Sequence, residues 1–291
     1  MQQQTDVWRL SASGDIPITF TQQPWPLRYA MNRAAESQQC NEPSQDCLHV
    51  TGDKDALAFA ICDGVSLSFC GQVAAQLLAG RLSDWLYHAC ESGKMDQRQV
   101  VNKHDEHDRL LRHVVSWLDQ LRSEGLQLVQ AYELPSQMNP IVRDVLEEKR
   151  RHGSEAAFVA GVIQKYPESD ECGLFLCWQG DIRIRLWIQD EEWMLRKRET
   201  MCTEERWSTN KGSIGNIHTS YYRWSVQEWK QAKLVIYSDG LALLDSFEQV
   251  PDPNQLAAAM SKALGLANSD DMTYLEISLS SLANEEVQRC P

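Results

Sequence analysis

Two apolar runs of this 291-residue chain finish on the same pair of residues: LAFAICDG closes at Asp63 and Gly64, and KLVIYSDG closes at Asp239 and Gly240. A run of Leu, Ile, Val and Phe predicts a strand buried on both faces, so an Asp at its last position is delivered to the rim of a packed sheet. The glycine that follows has no side chain to obstruct a sharp turn, and its carbonyl is free to aim at whatever the Asp holds. Three more acids, Asp46, Asp181 and Asp270, also stand where apolar strands begin or end. Converging carboxylates repel one another and are costly to desolvate, so a fold that gathers them normally supplies a cation. The donors are all oxygen and no His has suitable spacing, which favours Mg²⁺, Mn²⁺ or Ca²⁺ over zinc. With Mg²⁺ or Mn²⁺ the chemistry is phosphoryl transfer or hydrolysis, in which two ions about 4 Å apart activate a water and hold the leaving oxygen.

The elements that must position these acids follow from periodicity. CLHV and LAFAIC flank the turn residues TGDKD as a hairpin that ends on Asp63. Two helices come next, one with Val73, Leu77, Leu78, Leu82, Trp85 and Leu86 on a single stripe, the other with Leu110, Leu111, Val114, Val115, Leu118 and Leu121. A third helix begins at Asn139 as cap, with Pro140 at its first position, and stops before Gly153. Strands resume with AAFVAGVIQ, GLFLCWQGD and IRIRLWIQ, the last alternating so as to predict one buried and one wet face. The stretch from Asp190 to Lys230 is less regular, carries four of the ten tryptophans and reads as a loop or flap. KLVIYSDG, a helix near NQLAAAMSKALG and the strand MTYLEISLS close the chain. Helices clustered between groups of strands predict an α+β fold with antiparallel sheets rather than a doubly wound parallel one. Residues 1–27, polar with three prolines, read as an N-terminal extension, 28–282 as the folded domain and 283–291 as a tail.

Composition excludes several functions. A net charge of −13 argues against a nucleic-acid partner, since phosphate recognition relies on clustered Lys and Arg. Nine cysteines without a CxxC pair point to a reducing cytosol, and Cys62 and Cys177 sit inside strand patterns as small hydrophobes. No apolar run approaches the roughly 20 residues that span a bilayer and no leader sequence is present, so the expectation is a cytoplasmic protein without a membrane partner. The cluster HDEHD, His104 to Asp108, reads as a charged, solvated helix start.

Six short motifs in order, SQDC (Ser44 to Cys47), AICDGV (Ala60 to Val65), GSEAAFVAGVI (Gly153 to Ile163), WQGDIR (Trp178 to Arg183), IYSDGL (Ile236 to Leu241) and SDDMTYLEI (Ser269 to Ile277), resemble those of the metal-dependent serine/threonine protein phosphatases of the 2C type, in their bacterial branch. The resemblance spans about residues 30–280. It implies a central β-sandwich of two antiparallel sheets flanked by helix pairs, with two Mg²⁺ or Mn²⁺ ions at one end. Carried over by motif, Asp63 bridges both ions, Gly64 offers its carbonyl to one, Asp239 and Asp270 hold the other, Asp46 completes the inner shell or binds a coordinated water, and Asp181 serves a third, weaker ion. Asp63 and Asp239 are then the catalytic acids, an activated water attacks phosphorus in line, and no phospho-enzyme forms. A phosphorylated protein is the implied substrate, with an opposing serine/threonine kinase as partner.

The sequence departs from the family at three places. No Arg stands in SQQCNEP just before Gln45, so the substrate phosphate falls to Arg33 or Arg28 further upstream. The second motif reads DGVSLSF, which makes the loop after Gly64 bulkier, and Ile182 follows Asp181 where the family carries Ser. These departures motivate a second expectation, a phosphatase-like regulatory module that binds without turning over.

Overall fold

The computed structural model describes residues 7–91, 103–166, 169–188, 191–195, 204–229 and 232–279. Its strands form two sheets in which every pairing is antiparallel. The first sheet begins with β1 (Trp8–Ala12) and continues through β4 (Cys47–Gly52), β5 (Ala56–Gly64), β6 (Glu155–Tyr166), β7 (Glu171–Gln179) and β12 (His218–Ser225). Two short strands, β10 (Arg206–Ser208) and β11 (Gly212–Ile214), extend it beyond the first residues of β6. The second sheet runs β2 (Ile16–Thr21), β3 (Leu27–Asn32), β14 (Met272–Ser278), β13 (Ala232–Tyr237), β8 (Arg183–Ile188) and β9 (Glu191–Leu195).

Alternate residues explain how the sheets stack. Leu48, Phe59, Ile61, Val159 and Leu176 of the first sheet meet Leu27, Ile184, Leu234, Ile236 and Leu275 of the second in one dry core. The other face of the first sheet, rich in Ala and Cys (Ala58, Ala60, Cys62, Ala160, Cys177), receives α2 (Gln72–Glu91) and α3 (Lys103–Ala131) through Leu78, Leu82, Leu86, Val114 and Leu118. Small residues there let the helices approach closely, and each fully buried Leu contributes about 1.5–3 kcal/mol. The outer face of the second sheet is covered by a 3₁₀ segment, Asp239–Ser246, and α6 (Pro253–Leu264) through Leu241, Leu244, Leu256 and Met260. Two antiparallel sheets with helices on both outer faces give the α+β sandwich that the sequence predicts. The small helices α1 (Ala35–Cys40), α4 (Pro140–His152) and α5 (Val226–Trp229) complete it. As the sequence reads, Asn139 caps α4 by accepting from the Ile141 N–H at 2.9 Å, and Gly153 ends it.

Several expectations need correction. Residues 8–21, read as part of an extension, supply an edge strand to each sheet, and Trp25 is fully buried with its indole donating to the Asp53 carbonyl at 2.6 Å. The predicted wet face of β8 is covered: Arg185 and Trp187 are 5% and 2% exposed. Arg185 pairs with Glu192 and donates to the Leu244 and Phe247 carbonyls, so the 3₁₀ segment lies over that face. The stripe on α3 is narrower than the sequence suggests, because Val115 is exposed. Within the predicted loop or flap, residues 191–195 pair in the second sheet and residues 206–208, 212–214 and 218–225 in the first, and Trp207 and Trp229 are buried. Residues 283–291, Cys202 and Cys290 lie outside the described residues, as do the side chains of residues 104–108. Among the described residues no helix is long and apolar enough to cross a membrane.

Candidate metal centre

Strand register brings the first two acids together. Cys47 lies opposite Cys62 at the end of the β4–β5 ladder, so the next step sets Asp46 against Asp63. Leu48 and Ile61 face the core between the sheets while Cys47 and Cys62 face the helices, which places Asp46 and Asp63 on the sandwich side. In the second sheet the β13–β14 ladder closes at Tyr237 and Tyr274. The Ser238 N–H then donates to the Thr273 carbonyl at 3.0 Å and the Thr273 N–H to Ser238 Oγ at 2.9 Å. Asp239 therefore leaves one strand beside the point where Asp270 and Asp271 enter the other. Asp181 arrives on the turn from β7 into β8, whose first residue, Arg183, pairs with Tyr237.

The acids at these strand ends act on one another electrostatically. Burial pushes the Asp63 carboxyl well above its ordinary range, and the charges of Asp46, Asp239, Asp270 and Asp181 push it further. Asp46 is raised to about 8 by burial and by Asp271, and Asp239 to about 6 by burial, Asp181 and Asp270. Asp270, though open to solvent, is raised as well, by the partial desolvation of its carboxyl and by the charges of Asp271 and Asp181. Asp46 forms the buried floor, Asp63, Asp181 and Asp239 are half-buried, and Asp270 stands exposed at the mouth. Thr273 Oγ1 donates to Asp46 Oδ2 at 2.8 Å, whereas Asp46 Oδ1 is buried and takes no hydrogen bond. An orphaned buried carboxylate oxygen costs more than a satisfied one, and a hard cation is the partner this oxygen-only donor set suits. Among the described residues no three Asp, Glu, His or Cys side chains already stand close enough to hold an ion. A bound cation would offset the mutual repulsion of these carboxylates.

The two Asp-Gly pairs owe their glycines to close approach rather than to a left-handed turn, since neither residue has a positive φ. A Cβ on Gly64 would lie 2.5 Å from the Gly71 carbonyl carbon, and one on Gly240 would lie 2.1 Å from the Asp271 carbonyl oxygen. Backbone packs on backbone at both points, which fixes the adjoining carboxylates. The loop after Gly64 is moored to the start of β6. Ser68 Oγ accepts from the Glu155 N–H at 3.0 Å, the Phe69 N–H donates to the Gly153 carbonyl at 3.1 Å, and Ser154 Oγ donates to the Cys70 carbonyl at 2.9 Å. Leu67 at its tip is 84% exposed.

Sequence reasoning missed two residues. Asp271 is 4% exposed and accepts from the Ala34 N–H at 2.7 Å, the Ser44 hydroxyl at 3.0 Å and the Gln45 N–H. It thereby ties the segment that carries Asp46 to the second sheet. The Asp doublet was visible, but not that its two members face different ways. Arg183 donates to the Asp181 carbonyl at 2.8 Å and lies close enough to Asp239 to oppose the rise of its pKa. Removing Asp271 as Asp271→Ala strands three donors at about 1–3 kcal/mol each, so the melting temperature in chelator is expected to fall by about 10 °C. An unchanged melting temperature would show that this carboxylate does not organise the site.

Arg33, next to Ala34 whose N–H binds Asp271, has its guanidinium on Asp15 and on the Glu42 carbonyl. Arg28 is turned to the opposite face of its sheet, where it is buried against Glu276 and the Pro251 carbonyl. It does not reach the acids.

No family model matches this sequence, and no curated protein matches it. Solved structures are similar at low identity. The S. agalactiae serine/threonine phosphatase is 14% identical, with a TM-score of 0.46, and the alignment covers 93% of this chain and 99% of that one. RsbX in complex with magnesium is 15% identical, with a TM-score of 0.41 and coverage of 90% and 100%. A phosphatase from a pathogenic strain of Toxoplasma gondii is 10% identical, with a TM-score of 0.43 and coverage of 93% and 95%.

Proposed function

We propose that this chain is a metal-dependent protein phosphatase of the 2C type that hydrolyses phosphoserine or phosphothreonine in a partner protein. One observation supports the reading: strand ends at one end of the antiparallel sandwich bring Asp46, Asp181, Asp239 and Asp270 within electrostatic reach of Asp63, beside a buried Asp46 oxygen without a donor. Asp46, Asp63, the Gly64 carbonyl, Asp239 and Asp270 are the residues that would hold two Mg²⁺ or Mn²⁺ ions, with Asp181 beside them. When bound, such ions polarise a phosphoryl oxygen and lower the pKa of water, which lets water act as the nucleophile near neutral pH.

The chain's own residues have identifiable tasks. Thr273 and the Asp271–Ser44–Gln45 lattice hold Asp46 in place, and Arg183 partly offsets the charge gathered on Asp239. The neighbouring thiols take no part in covalent catalysis. Burial pushes Cys47 up to about 12 and Cys62 well above the usual thiol range, and both point away from the acids beneath α2. A thiol kept protonated is a poor nucleophile, which supports direct attack by water. Arg33, which feels the charge of Asp271 and carries guanidinium hydrogens not taken by Asp15 or Glu42, is assigned to the substrate phosphate.

Hydrolysis of p-nitrophenyl phosphate and of a phosphothreonine peptide is expected with Mn²⁺ or Mg²⁺ and not with chelator. A folded protein without turnover under any of these metals would overturn the catalytic reading in favour of a regulatory module that binds only.

A further inference from the structure

We propose that Asp15, on the turn between β1 and β2, is a positioning residue that presents Arg33 to a phosphate monoester at the rim of the carboxylate cluster. The proposal rests on the phosphatase reading above and gives the N-terminal hairpin a place in substrate recognition. Asp15 Oδ2 accepts from Arg33 Nη2 at 2.8 Å and Nε at 3.2 Å, and Asp15 Oδ1 accepts from the Arg33 backbone N–H at 2.8 Å. The Glu42 carbonyl takes one Nη1 hydrogen at 2.9 Å. A guanidinium has five N–H groups, so one hydrogen on each terminal nitrogen remains for an oxyanion. The pair is accessible, with side-chain exposures of 22% for Arg33 and 41% for Asp15.

The arrangement answers a problem set by the site itself. The next residue, Ala34, donates its N–H to Asp271, which adjoins Asp270, and Asp271 acts electrostatically on the Arg33 guanidinium. Asp271 attracts the guanidinium as Asp15 does, so the direction of the side chain depends on which carboxylate it pairs with. Asp15 holds it outward by a charge-assisted, two-donor contact from a different part of the chain, while Glu42, beyond α1, braces the other terminal nitrogen. A dianionic substrate would then meet oriented N–H donors held in a fixed direction by Asp15 and Glu42.

The test compares wild type, Asp15→Ala, Asp15→Glu, Arg33→Ala and the Asp15→Ala/Arg33→Ala double variant, all with Mn²⁺, for kcat and KM on a phosphothreonine peptide and for the Kd of inorganic phosphate by calorimetry. Asp15→Ala is expected to raise KM and the phosphate Kd about tenfold with kcat within about twofold, and Asp15→Glu to restore most of the loss. The double variant is expected to be no worse than Arg33→Ala alone, because Asp15 acts only through Arg33. Wild-type values in Asp15→Ala, or losses that add in the double variant, would overturn the proposal and leave the phosphatase reading standing. Phosphate binding by wild type without turnover would sink that reading alone, and the phosphate arm would still decide the role of Asp15. Wild type that neither binds phosphate nor turns over would overturn both.

Discussion

Asp63→Asn is expected to lower metal-dependent turnover by at least about a thousandfold while the protein keeps its fold, and Asp239→Asn to do nearly the same. Asn matches Asp in volume but carries no charge and offers a poorer donor to a hard cation. Asp63 stands at the centre of the cluster, feeling Asp46, Asp239, Asp270 and Asp181 at once, so its loss affects every ion the site would hold. Stability moves in the opposite direction. Without metal, the Asp63 carboxylate is penalised by burial and by four neighbours, so Asp63→Asn in chelator at slightly alkaline pH is expected to melt no lower than wild type and to gain several degrees. Loss of turnover together with unchanged or raised chelator stability separates a catalytic carboxylate from a structural one. Retained turnover, or a melting temperature well below wild type, would remove Asp63 from the centre of the mechanism.

How far the sequence could be read depended on whether a feature is local. Asp63 and Asp239 were legible because a buried strand has a recognisable composition and its last residue must emerge at a sheet rim. That Asp46 faces Asp63 also follows from one short hairpin. Asp271 was not legible, because its partners, Ala34, Ser44 and Gln45, lie more than two hundred residues away and a buried acceptor has no sequence signature. The covered face of β8 failed for a related reason. Alternation of Ile with Arg and Trp reads as a wet face, yet Arg185 is buried once Glu192 and two carbonyls of the 3₁₀ segment accept its hydrogens. Residues 8–21 alternate apolar and polar residues only in two short runs interrupted by Gly14 and Pro17, and the pairing of β1 with β4 and of β2 with β3 turns them into sheet edges. The two Asp-Gly glycines were noticed for the right dipeptide and a different physical reason: what forbids a side chain is Gly71 against Gly64 and Asp271 against Gly240.

In chelator the protein is expected to lose stability as pH rises, the reverse of the usual acid-denaturation pattern. Asp46 is raised to about 8 and Asp239 to about 6, with Asp63 and Asp270 also raised, whereas in the unfolded chain all four titrate near the ordinary value of about 4. Between those limits the folded state binds more protons than the unfolded one, so each increment of pH favours unfolding. The stability is fully present below about pH 4 for these groups and is lost progressively as pH climbs through about 6 and then about 8. A fall of about 10 °C in melting temperature between about pH 5 and pH 8 is the expected size for a chain of this length. Mn²⁺ or Mg²⁺ inverts the dependence, because a bound cation favours the ionised carboxylates and protects the fold increasingly as pH rises. Binding near neutral pH must then release protons. Calorimetric titration of the metal in two buffers of different ionisation enthalpy measures that release directly. A chelator melting curve that is flat or rises across this window, or a binding enthalpy independent of buffer, would mean that the four carboxylates do not form one coupled, cation-seeking site.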